Sequence, residues 1–238
     1  MPRTVAIDCF PENVQKYQDG FAIVAVDVIR ATTTAVTGVA QGRQVFAAAT
    51  LEDVVALSLK LKNPLVAGEL GGNMPYGFEM TNSPALLSER TDIERPMILI
   101  STSGTPVITE SAKCAAGYVA CLRNYSALIA YLAGRHDKVA AIGAGSRGEF
   151  REEDQLCCAW IARGLLDAGY EPANEETRSI TERWRGAPPD AFAGGKSVEY
   201  LRRSGQVRDL DFILSHVDDL SEVYICKNNE IVKVSSAG

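Results

Sequence analysis

Short unbroken apolar runs recur along the chain, each followed by a hydroxyl- or glycine-rich turn and then by a stretch of helical period. The run Phe21 to Val26, β-branched and without polar alternation, suits a strand buried on both faces of a sheet. It ends on Asp27. Arg30 and three threonines follow, and then Ala35 to Ala40 with the spacing of a helix laid against a sheet. Acid, base and hydroxyls thus gather at the carboxyl end of a central strand, where open α/β sheets place ligands, and a fresh helix N-terminus beside them suits an oxyanion. For an isolated pair, Asp27 and Arg30 also read as a structural ion pair under a loop.

The same reading extends over the rest of the chain. Residues 3 to 10 form a first strand, turn-rich Pro11 to Gly20 leads into the central one, and Gln44 to Ala49 is a further strand. Thr50, with Asp53 three residues on, caps a helix that Asn63-Pro64 closes. Leu65 to Ala67 returns to the sheet, and Gly68 to Pro84, dense in Gly, Pro and Asn, is a surface loop positioned by ligand or partner contacts. Pro96 to Ile100 runs into Ser101, Thr102, Ser103, Gly104 and Thr105, then a small-residue helix through Gly117 and a strand Tyr118 to Leu122. This repeats the device at Asp27, so two strand ends are expected to face one pocket. Lys138 to Gly143 is another strand, ending in GAGSRGEFREED before a helix from about Glu153 to Ala168, whose apolar face holds Leu156, Trp160, Ile161, Leu165 and Ala168, with Gly169 as its terminating glycine. Glu152, Glu153 and Asp154 open that helix. There they favour its dipole, and the glycine-rich turn also brings them toward the pocket. The stretch from Glu171 to Gly195 is a peripheral helix and loop. Lys196 to Ser204 and Asp209 to His216 are short helices, and Val223 to Cys226 with Ile231 to Val234 form a closing hairpin across Asn228-Asn229. The predicted fold is a layered α/β/α body with a mixed, largely parallel sheet. It is read as a single domain, with room for two similar lobes of about 1–135 and 136–238 and the site between them.

Composition narrows the function classes. With 24 Lys and Arg against 30 Asp and Glu, the net charge is -6. That lacks the basic excess that duplex-contacting proteins use to displace counterions, so nucleic acid is not expected as a partner. No stretch approaches the roughly 20 apolar residues of a membrane span, and MPRTVAIDCFPEN lacks a signal-peptide core. A cytoplasmic protein with no membrane partner is expected, and its assembly is left open between monomer and homodimer. Six cysteines without CxxC spacing indicate neither a zinc knuckle nor a disulfide framework. Two histidines are too few for a histidine-based metal centre, so any metal is expected to be hard and oxygen-bound.

The common phosphatase devices are missing. Asp27 is followed by Val28 and Ile29, so the paired aspartates of haloacid-dehalogenase enzymes are absent. Cys157 and Arg163 have the Cys-x5-Arg spacing but fall inside a predicted helix with no phosphate-cradling glycines. His136 lacks the following glycine of the histidine phosphatases, and there is no GxxxxGK[ST] loop.

The ordered motifs DVIRATTTAVTGVAQG, GELGG, GF-x-x-x-NSP, STSGT and GAGSRGEFREED, with Cys158 shortly after, resemble the 2-phosphosulfolactate phosphatase family from about Val5 to Val234. The chain departs from the family pattern at Ser103, where the pattern has Asn. It departs again at Arg151-Glu152-Glu153-Asp154, in place of a Ser-Leu-Glu-Asp run, which keeps the acids and opens the identity of the substrate. The resemblance implies Mg²⁺-dependent hydrolysis of the phosphate monoester of a small anionic hydroxy acid, a step of coenzyme M biosynthesis. Within it Asp27 is the first choice as metal ligand or nucleophile. Asp154, Glu153 and Glu69 are further carboxylates for the metal, and Arg30 and Asp154 join Asp27 as catalytic residues. Arg30 and Arg147 suit the phosphate and a second anionic group, since a guanidinium binds oxyanions bidentately. Thr32, Thr33, Asn82, Ser83, Thr102, Ser103, Gly104 and Thr105 are the expected substrate-binding donors. Two other classes stay open: a magnesium phosphatase or phosphotransferase on another phospho-hydroxyacid, and a non-catalytic anion-binding protein.

Overall fold

The computed structural model describes residues 2–146 and 148–234. The chain runs β1 (Thr4–Asp8), a 3₁₀ segment Pro11–Tyr17, β2 (Ala22–Val26), α1 (Ala31–Ala40), β3 (Val45–Ala48), α2 (Leu51–Ser58), β4 (Leu65–Gly68) and α3 (Pro84–Ser88). It continues through β5 (Met97–Ile100), α4 (Gly104–Ser111), β6 (Ala116–Ala120), α5 (Tyr125–Leu132), β7 (Lys138–Gly143), α6 (Glu152–Asp167) and β8 (Glu171–Pro172). The last elements are α7 (Glu175–Arg183), α8 (Lys196–Arg203), α9 (Val207–Ser215), β9 (Tyr224–Lys227) and β10 (Glu230–Lys233).

Among the described residues ten strands make one sheet in the order β4-β5-β3-β10-β9-β6-β2-β7-β1-β8. Strand β2 is flanked by β6 and β7, both parallel to it, and all five of its residues are buried. Its period of two divides them between cores: Ala22, Val24 and Val26 join one with β1, α5, α6 and α8, while Ile23 and Ala25 join the other with α1 and α4. Helices therefore cover both faces. Strand β7 lies between β2 and β1, so residues on either side of 135 share the sheet.

The hairpin β9–β10 joins two parallel blocks, pairing antiparallel with β6 on one side and β3 on the other. Its turn works because Asn228 and Asn229 accept positive φ, 49° and 68°. These antiparallel steps leave β3, β5 and β4 opposed in ladder sense to β2. Five strand steps at the usual twist of roughly 20–25° each amount to about 100–125°, enough to turn the carboxyl end of β5 back toward that of β2. The two ends meet so closely that a Cβ added to Gly104 would fall 2.0 Å from Asp27 Oδ2.

Most predicted elements form within a residue or two, and Thr50 with Asp53 makes the reciprocal capping box expected. Several details differ. Helix α2 ends at Ser58, short of the Asn63-Pro64 stop expected for it. The helix after β5 stops at Ser111 rather than reaching Gly117, which lies in β6; there a Cβ would come within 2.6 Å of the Ser111 carbonyl carbon. The apolar face of α6 excludes Ala168, which is exposed, and Trp160 is only half-buried. Helix α5, seated by Leu128 and Leu132, occupies a stretch given no element above. No helix among the described residues is long and apolar enough to cross a membrane.

Candidate active site

The carboxyl ends of β2, β4, β5 and β7, with α8, enclose a cavity of about 430 Å³. Its floor begins at Asp27, the residue after β2. The turn that aims Asp27 is fixed by hydroxyls of α1: Thr32 Oγ1 accepts from the Asp27 N–H at 2.9 Å and donates to the Asp27 carbonyl at 2.7 Å, and Thr33 Oγ1 donates to the Val28 carbonyl at 2.8 Å. Strand β5 ends identically, with Thr105 Oγ1 accepting from the Ser101 N–H and donating to its carbonyl. Thr32, Thr33 and Thr105 are consequently buried within backbone turns. Their hydroxyls, expected as substrate donors, are engaged with the backbone of the strand ends, and none of the three lines the cavity.

Asp154, in the first turn of α6, accepts from the Val28 N–H at 2.7 Å and lines the same floor as Asp27. Glu153 is fully buried behind it, outside the cavity lining, and neither of its carboxylate oxygens has a hydrogen-bond partner among the described residues. Burial pushes the Asp27 carboxyl up to about 7, and the charges of Glu69 and Glu153 add to the rise. Burial also pushes Glu153 up to about 7. Asp154 stands well above the carboxylate range, first through burial and then through the charges of Asp27 and Glu153. Three acids are thus kept close with too little positive charge to satisfy them.

Arg30 is the cation of the floor, and its ion-pair partner is Asp209, at the start of α9, instead of Asp27. Arg30 also donates to Gln206. Asp209 accepts in addition from the Ser83 hydroxyl and the Ala85 N–H, so Ser83 serves the positioning of Arg30 and caps α3 rather than lining the cavity. Asn82 does line the cavity, buried, with its amide oxygen unpartnered among the described residues. Glu69 lines it too, but its oxygens accept from the Thr102 N–H (2.8 Å), the Thr102 hydroxyl (2.9 Å) and the Gly72 N–H (2.7 Å), which makes it the organiser of the glycine loop. Thr102 and Ser103 reach the cavity. Gly104 supplies the space that lets the Asp27 carboxylate sit against the first turn of α4. Arg147 lies outside the described residues.

The far rim comes from residues to which the motif reading gave no role. Glu149, Arg151, Lys196, Ser197 and Tyr200 line it, and the Tyr200 hydroxyl donates to the Gly72 carbonyl across the opening. Asp209 had one legible signal: it shares a face with Ile213, so an acid stood on the apolar side of a short helix, where it needs a cation. Lys196 and Tyr200 carry no such mark. Of the positions that depart from the family pattern, Ser103 and Arg151 line the cavity and Glu152 does not.

Among the described residues no three His, Cys, Asp or Glu side chains are placed to grip a metal ion by themselves. The donor set nevertheless fits a hard cation of the Mg²⁺ kind, which keeps several waters and takes one or two carboxylates plus phosphate oxygens. The uncompensated acids Asp27 and Asp154, with the orphaned Glu153 oxygens behind them, supply that chemistry.

A family model described as 2-phosphosulpholactate phosphatase matches residues 9–229. A protein of Deinococcus radiodurans named "Probable 2-phosphosulfolactate phosphatase" is 31% identical over 211 residues, covering 87% of this chain and 86% of the relative. Proteins of the same printed name from Synechocystis sp. and Carboxydothermus hydrogenoformans are 29% and 25% identical. The first covers 84% of this chain and 86% of its own length, the second 95% of each.

Proposed function

Because this chain belongs to the 2-phosphosulfolactate phosphatase family, we propose that it is a phosphoric monoester hydrolase that converts 2-phosphosulfolactate to sulfolactate and phosphate with Mg²⁺. The observation that carries the reading is the cavity floor, where Asp27 and Asp154, both buried acids, stand with a guanidinium pinned from behind. Phosphoryl transfer asks for alignment and charge neutralisation more than for covalent chemistry. Asp27 and Asp154 would hold Mg²⁺, which when bound supplies positive charge to the phosphoryl oxygens.

The chain's own residues do the rest. Arg30 presents its remaining N–H donors to the phosphate, because Asp209 and Gln206 fix one end of the guanidinium. Ser103 and the Asn82 amide give the oxyanion neutral hydrogen-bond partners along the wall. Glu69 and Thr102 keep the glycine loop in place over the site, and the Tyr200 contact to Gly72 limits water access. All six thiols are unpaired, which suits work in the reducing cytoplasm. A panel of phosphorylated hydroxy acids assayed for released phosphate, with and without EDTA, tests the assignment. Fastest release from 2-phosphosulfolactate, abolished by EDTA, is expected. Faster release from another phospho-hydroxyacid would reassign the substrate, and saturable anion binding with no release from any ester would make the protein a binding module.

A further inference from the structure

The rim opposite the acidic floor holds a second ion cluster. Lys196 Nζ lies 2.7 Å from each oxygen of Glu149, and Arg151 Nη1 lies 3.4 Å from Glu149 Oε2. All three side chains line the cavity that contains Asp27 and Arg30. Arg151 is unlike Arg30, the other arginine lining the cavity among the described residues. Its contacts to Glu149 and to the Ser146 and Phe150 carbonyls are all 3.4 to 3.5 Å, beyond good hydrogen-bond length, although only 15% of its side chain is exposed. A largely covered guanidinium with loosely engaged donors and a lysine beside it form a cationic pair whose only ion-pair partner, among the described residues, is Glu149.

We propose that Arg151 and Lys196 form the subsite for a second anionic group of the substrate, a sulfonate or carboxylate, and that Glu149 occupies it as an internal stand-in until the substrate displaces it. The inference rests on the phosphatase reading for the position of the phosphate, at Arg30 and the floor acids. A carboxylate that accepts from an ammonium and approaches a guanidinium has the charge and geometry such a group presents. The Lys196–Glu149 pair is an exposed ion pair of the weak, exchangeable kind. Glu149 thereby tunes specificity: it competes only with an ester whose second anion must displace it, and a neutral ester leaves it in place.

Three esters test this: 2-phosphosulfolactate, 2-phospholactate with a carboxylate alone, and isopropyl phosphate with neither group. The readout is the kcat/KM of each charged ester divided by that of isopropyl phosphate. Arg151→Gln and Lys196→Gln are each expected to lower the 2-phosphosulfolactate ratio at least tenfold, through KM, and Glu149→Gln to raise it severalfold. A parallel fall for 2-phospholactate assigns the subsite to the carboxylate; a fall confined to 2-phosphosulfolactate assigns it to the sulfonate. Ratios unmoved by both cation variants, or lowered by Glu149→Gln, would overturn the proposal. If the unmodified enzyme cleaves none of the esters, the phosphatase reading fails separately, and calorimetric binding of sulfolactate then decides. Weaker binding in Arg151→Gln and tighter binding in Glu149→Gln support the subsite, and equal binding in all variants refutes it.

Discussion

Replacing Asp27 by Asn separates a catalytic acid from a structural one, because the two roles demand opposite changes in stability. The Asp27 carboxyl is raised by burial from 3.8 to about 7 in the folded chain. A group whose folded pKa is raised contributes stability that is fully present below its unfolded pKa and is lost as pH rises through the folded one. Ionised Asp27 therefore destabilises the metal-free protein progressively between about pH 4 and pH 7, with a flat cost above. At about 1.4 kcal/mol per unit, a rise of some three units sets a ceiling near 4 kcal/mol. Glu153 and Asp154 share the same repulsion, so about 2 kcal/mol is a reasonable expectation for Asp27 alone. In EDTA, urea unfolding of Asp27→Asn should show a protein about 2 kcal/mol more stable than the parent at pH 8, with the gap closing as pH falls toward 4, and with no turnover. The charge of Arg30 favours ionised Asp27, but burial outweighs it, and Arg30 keeps its ion-pair partner Asp209 when Asp27 is replaced. A metal-free Asp27→Asn protein that is 3 kcal/mol or more less stable at pH 8 would show Asp27 to be a strut.

Other substitutions probe the parts around it. Asp209→Asn leaves a buried guanidinium without its counter-charge, so urea unfolding should report a loss of about 3 kcal/mol or more; full stability would mean that Arg30 finds another partner. Arg30→Lys keeps a charge for Asp209 but loses the planar fork. Its kcat/KM should drop by about two orders of magnitude with the fold intact by circular dichroism, whereas an unchanged value would make the Arg30–Asp209 pair purely structural. Gly104→Ala puts a methyl where Asp27 Oδ2 sits, 2.0 Å away, and should abolish turnover and lower the melting temperature; a fully active variant would refute the tight seating of Asp27 on α4.

The strands and their chemistry were legible because each apolar run and its hydroxyl turn are local patterns. The twin roles of Thr32 and Thr105 were half-legible. A hydroxyl six or five residues past a strand end reads equally well as a ligand donor or as a turn lock, and only burial decides for the lock. The positioning of Arg30 could not be read locally, since its partner lies 179 residues away. Nor could the meeting of Asp27 with Gly104, which depends on sheet twist accumulated through a hairpin formed by the last strands of the chain. The rim of Glu149, Arg151 and Lys196 was hidden for a related reason: surface charges at unremarkable spacings become a site only when α8 is laid over the loop after β7.

The floor acids and Arg30 are proposed to make a magnesium-dependent phosphatase. Phosphate release from 2-phosphosulfolactate by the purified protein, first stripped with EDTA and then titrated with Mg²⁺, tests it most directly when the Asp27→Asn protein is run alongside. No release after stripping, saturable recovery with Mg²⁺ in the parent and none in the variant are predicted. Release that persists in EDTA, or that Asp27→Asn retains, would contradict it.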